Sequence, residues 1–170
     1  MRRVERRTLE REMAEPWRVL IVFASQGGGA ARMAEAIERG ATQPGATVRR
    51  LHGTVAGVND LLWCDALAVV TPENFGYMAG AVKDFFDRTF YPVEGKVPNL
   101  PYVLAVRAGN DGTFAREAVE RIARGYGFAL VAPPVMSVGE QTDAQLVACE
   151  ELGELLVAGL DLGIFGRKRE

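Results

Sequence analysis

The chain has 170 residues, a net charge of −2 and 48% apolar residues, which suits one globular domain and excludes long disorder or nucleic-acid binding through bulk charge. Two cysteines cannot make a disulfide framework, and no apolar run reaches the roughly 18 residues of a membrane span. The N-terminus has no apolar signal core, so the expected compartment is the cytoplasm.

Charge is distributed unevenly. Residues 1–16 hold five Arg and four Glu, and residues 166–170 hold three basic residues and Glu170, which leaves −5 for residues 17–165. The first segment offers little apolar face to bury and reads as a solvated charged tail. Dimer contact or binding to an anionic surface is its other reading. The last segment reads as a short basic tail.

Val19-Leu20-Ile21-Val22-Phe23 is an unbroken apolar run, which predicts a strand buried on both faces, as in a parallel sheet. Residues 31–39 bring Met33, Ala36 and Ile37 to one face of a helix. Val48-Arg49-Arg50-Leu51 mixes charged and apolar residues and suits an edge strand. Residues 66–70 repeat the buried-strand pattern. Met78, Val82, Phe85, Phe86 and Phe90 then recur at helical spacing. Residues 102–106 read as a fourth strand, followed by a helix carrying Phe114, Ala118, Val119, Ile122 and Tyr126. Residues 129–131 are a weaker fifth strand, stopping before Pro133-Pro134. Thr142-Asp143-Ala144-Gln145 has the form of a capping box. It opens a last helix with Leu146, Cys149, Leu152, Leu155 and Leu156 on its apolar face.

Such alternation predicts a doubly wound α/β domain over residues 17–165, with a five-stranded parallel sheet. An edge second strand implies the order 2-1-3-4-5. Ligands of these sheets bind beyond the carboxyl ends of the strands, where strand order reverses. The loops after strands one, three and four should therefore carry the chemistry.

The first loop is Ser25-Gln26-Gly27-Gly28-Gly29-Ala30. Three glycines leave little side chain to block a ligand, and the following helix N-terminus suits a phosphate. Ser25 adds a hydroxyl and Arg32 a cation; the plainer reading is a flexible turn. Neither the dinucleotide fingerprint G-x-G-x-x-G nor the Walker A pattern is present, and no acid closes the second strand for a ribose. The second loop, residues 71–80, combines Pro72, Glu73, Asn74, Phe75, Gly76 and Tyr77. Aromatic faces beside polar groups suit a flat heteroaromatic ring, whereas core packing is the alternative for Phe75 and Tyr77. The third loop, Arg107-Ala108-Gly109-Asn110-Asp111-Gly112-Thr113, also lets backbone approach a ligand at its two glycines, with Arg32 and Arg107 nearly matching the site-loop acids Glu73 and Asp111. Asp111 or Thr113 is expected to cap the next helix.

Together the three loops resemble the flavodoxin-like FMN proteins, most closely the flavodoxin-family NAD(P)H oxidoreductases that include WrbA-type quinone reductases. The segment "VLIVFASQGGGAARMAEAI" is similar to that family's first strand, phosphate loop and first helix. "DALAVVTPENFGYMAGAVKDFFDRTF" is similar to its strand-three motif, and "AVRAGNDGT" to its third, glycine-rich loop. The resemblance implies a flavodoxin-like three-layer α/β/α fold. It also implies that Ser25, Gln26, Gly27, Gly28, Gly29 and Ala30 hold an FMN phosphate. Pro72, Glu73, Asn74, Phe75 and Gly76 would line the isoalloxazine, with Gly109, Asn110, Asp111 and Gly112 near its pyrimidine side. The chain departs from the pattern at Ala30, where flavodoxins commonly have Thr. Its Thr71-Pro72-Glu73 resembles NADPH-dependent FMN reductases, whose Gly-Ser-x-Arg opening it lacks.

The resemblance further implies an FMN-dependent oxidoreductase carrying reducing equivalents from NAD(P)H to a quinone-like acceptor, with homo-oligomers common among such proteins. An electron carrier of the flavodoxin type and a flavin-free binding module are the alternatives. No residue is expected to act as an acid, base or nucleophile, since the cofactor carries that chemistry. His52 reads as exposed or structural, Cys64 and Cys149 as inert core thiols, and Lys83, Asp84 and Asp87 as a solvated helix face.

Overall fold

A computed structural model describes residues 15–43 and 45–166 of the chain. Apart from Glu15, Pro16 and Gly166, the two expected charged tails lie outside the described residues.

Apolar strands alternate with amphipathic helices: β1 (Arg18–Phe23), α1 (Gly29–Thr42), β2 (Thr47–His52), α2 (Val58–Trp63), β3 (Ala66–Asn74), β4 (Tyr77–Met78), α3 (Gly80–Val93), β5 (Pro101–Ala108), α4 (Thr113–Tyr126), β6 (Ala129–Leu130), β7 (Val135–Val138) and α5 (Asp143–Asp161). The main sheet runs β2-β1-β3-β5-β6, and its pairings are parallel. This is the expected 2-1-3-4-5 order, with a fifth strand in two pieces. β6 pairs with the start of β5 and β7 with its end. Pro133 and Pro134 lie in the break, where a residue without an N–H cannot continue the ladder.

Successive side chains on a strand point to opposite faces, so each buried strand feeds two cores. Leu20, Val22, Leu67, Val69, Leu104 and Val106 meet Phe85, Phe86, Val119 and Tyr126 on one face. Val19, Ile21, Ala68, Val70, Val103 and Ala105 meet Met33, Ile37, Cys149 and Leu156 of α1 and α5 on the other. These two helices touch backbone to backbone. A Cβ on Gly40 would stand 1.9 Å from the Glu150 carbonyl oxygen, and one on Gly153 2.1 Å from that of Ile37. β2 pairs only with β1 and alternates in exposure, as its mixed composition predicts.

Several local expectations need correction. Residues 71–74 extend β3, and the chain folds back as β4, so the second loop is a hairpin. Met78 belongs to that hairpin rather than to α3. α2 was not expected; six residues are too few to show a helical period. Leu155 and Phe114 are exposed rather than buried. The capping box at Thr142 is present: Gln145 N–H donates to Thr142 Oγ1 at 3.3 Å, and Thr142 N–H to Gln145 Oε1 at 3.0 Å.

Candidate functional site

Strand order reverses between β1 and β3, and the segments after β1, β3 and β5 meet at that edge of the sheet. The segment after β1 turns sharply at Gly28, whose φ of 86° is left-handed and favours glycine. Ser25 Oγ accepts the Gly28 N–H at 3.2 Å, closing the loop on itself. α1 begins at Gly29, so the first N–H groups of the helix face the loop without intrahelical partners. A cavity of about 200 Å³ opens here, lined by residues including Ser25, Gln26, Gly27, Arg32, Pro72 and Arg107. Gly29, Ala30, Ala108 and Gly109 complete it.

The second segment is a two-residue hairpin, with Glu73 opposite Met78 and Asn74 opposite Tyr77. Phe75 and Gly76 both have positive φ, 51° and 71°, as a type I′ turn requires. Glycine takes that conformation freely, but for a bulky residue it is an outlier. The Phe75 side chain is nevertheless fully exposed, and Tyr77 is exposed beside it. Neither packs in the core. Thr71, fully buried, pins the hairpin's return: its Oγ1 accepts the Ala79 N–H at 2.9 Å.

Glu73 does not extend freely along the cleft. Its two carboxylate oxygens accept the Gly112 N–H at 3.2 Å and the Ala115 N–H at 3.4 Å. It thus satisfies the start of α4 from a different strand and ties the second segment to the third. The expected cap from Asp111 is not what the chain uses. Asp111 Oδ1 instead accepts the Thr113 hydroxyl at 2.7 Å, and Gly112 occupies the N-cap with φ 82°. Asn110 and Asp111 are exposed, and of the third loop only Arg107, Ala108 and Gly109 line the cavity.

Two contributors stand outside the expected binding residues: Arg107, read only as the start of the third loop, and Gln141, unread. Arg107, at the end of β5, lines the cavity and donates from one terminal nitrogen to the carbonyls of Ala108 and Ser137. A charge closing an apolar strand was the available signal. Gln141 had none, because it arrives from the loop before α5. Its Nε2 donates to the Gly29 carbonyl at 3.1 Å, and its Oε1 accepts Arg32 Nε at 2.8 Å.

No protein-family model matches the chain. A flavodoxin from Aquifex aeolicus is 26% identical to it, over 89% of this chain and 91% of that one. A flavodoxin from the domain Archaea superposes with a TM-score of 0.76 at 21% identity, covering 85% of this chain and 99% of that one. The fold is flavodoxin-like. A WrbA-like flavodoxin from Agrobacterium tumefaciens superposes similarly, with a TM-score of 0.74 at 20% identity over 86% and 98% of the two chains.

A flavodoxin-like fold implies FMN, and the residues present suit that group. An anion fits the glycine loop, whose N–H groups and two nearby guanidiniums offer only donors. Nothing lies within 4 Å of where a Cβ of Gly27 would stand, so the loop leaves open space above it. The exposed Phe75 ring and the Gly109-Asn110 backbone supply a flat apolar face and polar edge groups.

The remaining titratable candidates lie elsewhere in the flavodoxin-like domain. His52 packs edge-on against Phe23, with ring centroids 5.9 Å apart, and bonds Thr54. Cys64 and Cys149 are buried, and burial pushes the Cys149 thiol up to about 12. Lys83 pairs with Asp87, and Asp84 with Arg88, along the outer side of α3. Among the described residues no cluster of His, Cys, Asp and Glu could hold a metal ion, and no helix is long and apolar enough to cross a membrane.

Proposed function

We propose that this chain is an FMN-dependent oxidoreductase that moves reducing equivalents from NAD(P)H to a quinone-like acceptor. The observation that carries this reading is the meeting of three loops, phosphate-binding in character at one end and aromatic at the other, at the switch point of the sheet. FMN supplies the electron and hydride chemistry when bound. The chain's part is to bind and orient. The 25–30 loop takes the phosphate, the Phe75 ring and Pro72 flank the isoalloxazine, and the 109–112 backbone meets its pyrimidine edge. With Glu73 and Asp111 each engaged by N–H or O–H donors, the cleft is not lined by free acids.

Room for a diffusible substrate supports an enzyme. A groove of about 580 Å³ runs beside the hairpin, lined by Tyr77 and Phe114, by the acids Glu117 and Glu120 and by Arg121 and Arg124, with Gly76 and Ala118. Its aromatic faces suit a small planar molecule, and its two acids are matched by two arginines, so it lacks the acidic rim on which a basic redox protein would dock. The similarity to the Aquifex aeolicus flavodoxin favours the second reading, an electron carrier reduced by a partner protein.

Flavin absorbance of the purified protein tests the cofactor. Steady-state oxidation of NADH or NADPH with a quinone then separates the readings. Turnover by the protein alone supports the oxidoreductase. Bound flavin that neither nucleotide reduces points to the carrier. A chain that neither retains nor binds FMN is the flavin-free module. Cytoplasmic location and a homo-oligomeric state belong to the same proposal, and size-exclusion chromatography checks the latter.

A further inference from the structure

We propose that Arg32 and Arg107 form a two-cation clamp that selects a phosphate dianion at the glycine loop. The proposal rests on the FMN reading and deepens it: Arg32 was expected to lend a cation beside the loop, and Arg107 reaches the same cavity from β5.

Both side chains line the same cavity, one from α1 and one from the end of β5. Among the described residues neither pairs with a carboxylate. Their bonds are all to neutral oxygens: Arg107 to the carbonyls of Ala108 and Ser137, and Arg32 to Gln141. Such bonds position a guanidinium without neutralising it. Gln141 in turn holds the Gly29 carbonyl, so one side chain fixes both the cation and the loop.

The backbone makes room for this arrangement. A Cβ on Gly29 would stand 2.8 Å from Arg107 Nε and 2.9 Å from its Cδ. The missing side chain lets Arg107 lie across the loop.

Electrostatics give the second reason. The N-terminus of a helix carries partial positive charge, and acids in its first turn stabilise it. α1 has none there; Arg32 follows closely instead, with Arg107 against Gly29. Charge placed with the wrong sign for stability is compensated when an anion binds between the two forks. Guanidinium forks match phosphate oxygens in geometry as well as charge.

The test compares FMN with riboflavin, which lacks the phosphate, in the full chain and in Arg32→Gln, Arg107→Gln and Arg107→Lys. Each Gln variant should weaken FMN binding about tenfold or more, as for loss of a charge-assisted hydrogen bond, and leave riboflavin binding unchanged. Arg107→Lys keeps the charge and should fall between. It also covers the chance that Arg107→Gln unfolds, since the Arg107 stem packs at the loop. Without ligand, Arg32→Gln should melt at the same temperature as the parent or higher, an outcome that a structural role for Arg32 would reverse. Equal weakening of both flavins, or no weakening of FMN, overturns the clamp. Inorganic phosphate is the third arm. If neither flavin binds, yet phosphate raises the melting temperature of the parent and not of the Gln variants, the clamp stands and the FMN reading falls. If phosphate has no effect either, the clamp falls too.

Discussion

Phe75 sits where the hairpin asks for another residue. In a two-residue type I′ turn both central positions need positive φ, and Asn-Gly is the favoured pair. The chain has Phe75-Gly76, with Phe75 at φ 51°. Holding a side chain with a bulky Cβ substituent in that region costs about 1–2 kcal/mol. The ring recovers nothing from burial, because it is fully exposed. Phe75→Asn therefore removes strain without removing packing, and it should stabilise the ligand-free protein by about 1 kcal/mol. For a chain of this size that raises the melting temperature by about 2–4 °C. The same change removes the ring proposed to lie on the isoalloxazine. A stacked aromatic contributes about 0.5–1.5 kcal/mol, so the FMN dissociation constant should rise roughly two- to tenfold. Phe75→Ala separates the two effects: it loses the ring but gains little stability, because alanine also resists positive φ. Calorimetry without flavin and a flavin titration read both. A ligand-free Phe75→Asn that melts lower than the parent would refute the strain. An unchanged FMN affinity in both variants would refute the stacking role.

Gly28→Val, at φ 86° and with a Cβ 3.3 Å from an Arg32 nitrogen, should destabilise the fold as well as the site. Gly27→Val is the cleaner probe; its Cβ meets nothing within 4 Å, so melting should stay nearly unchanged while FMN binding is lost. Glu73→Ala leaves the Gly112 and Ala115 N–H groups without their carboxylate, which should cost about 1–2 kcal/mol and speed amide exchange at those two residues first. Cys64 and Cys149 should resist a thiol reagent in the native protein and react on unfolding; fast native labelling would contradict their burial. Burial raises Tyr102 and Tyr126 from 10.0 to about 12 and Cys149 from 9.0 to about 12. The unfolded chain releases these protons at the lower values while the folded one keeps them, so their contribution to stability should be constant below about pH 9 and be lost as pH rises from there to 12. A melting temperature constant across that window would count against it.

How much of this was legible along the chain differs from element to element. The buried strands β1, β3 and β5 were readable because burial on both faces demands unbroken apolar runs, and α4 because one buried face imposes a helical period. β2 was readable as an edge because charges survive only where one side meets water. The last helix announced its start through the Thr142–Gln145 reciprocal cap, a local bond between near neighbours. What went unread depends on partners far apart in sequence. The extension of β3 through Asn74 follows from pairing with β5 and from the returning β4, neither of which marks residues 71–74 themselves. Asp111 looked like the cap of α4 because it stands just before the helix, but Glu73, 39 residues before Gly112, accepts the Gly112 and Ala115 N–H groups there instead.

The chain's local chemistry was enough to place a glycine-rich loop after one strand and an aromatic turn after another, because both depend on residues adjacent in sequence. Arg32 was readable as a cation beside that loop, but how its charges are held together was left to the folded molecule. Arg32, Arg107 and Gln141 come from α1, β5 and the loop before α5. Only the parallel order of the sheet, with α5 packed on α1, brings the two arginines to one cavity and Gln141 against Arg32. A net charge of −2 gave no hint of two arginines at its site without carboxylate partners, since net charge sums over a surface and a binding site depends on distance.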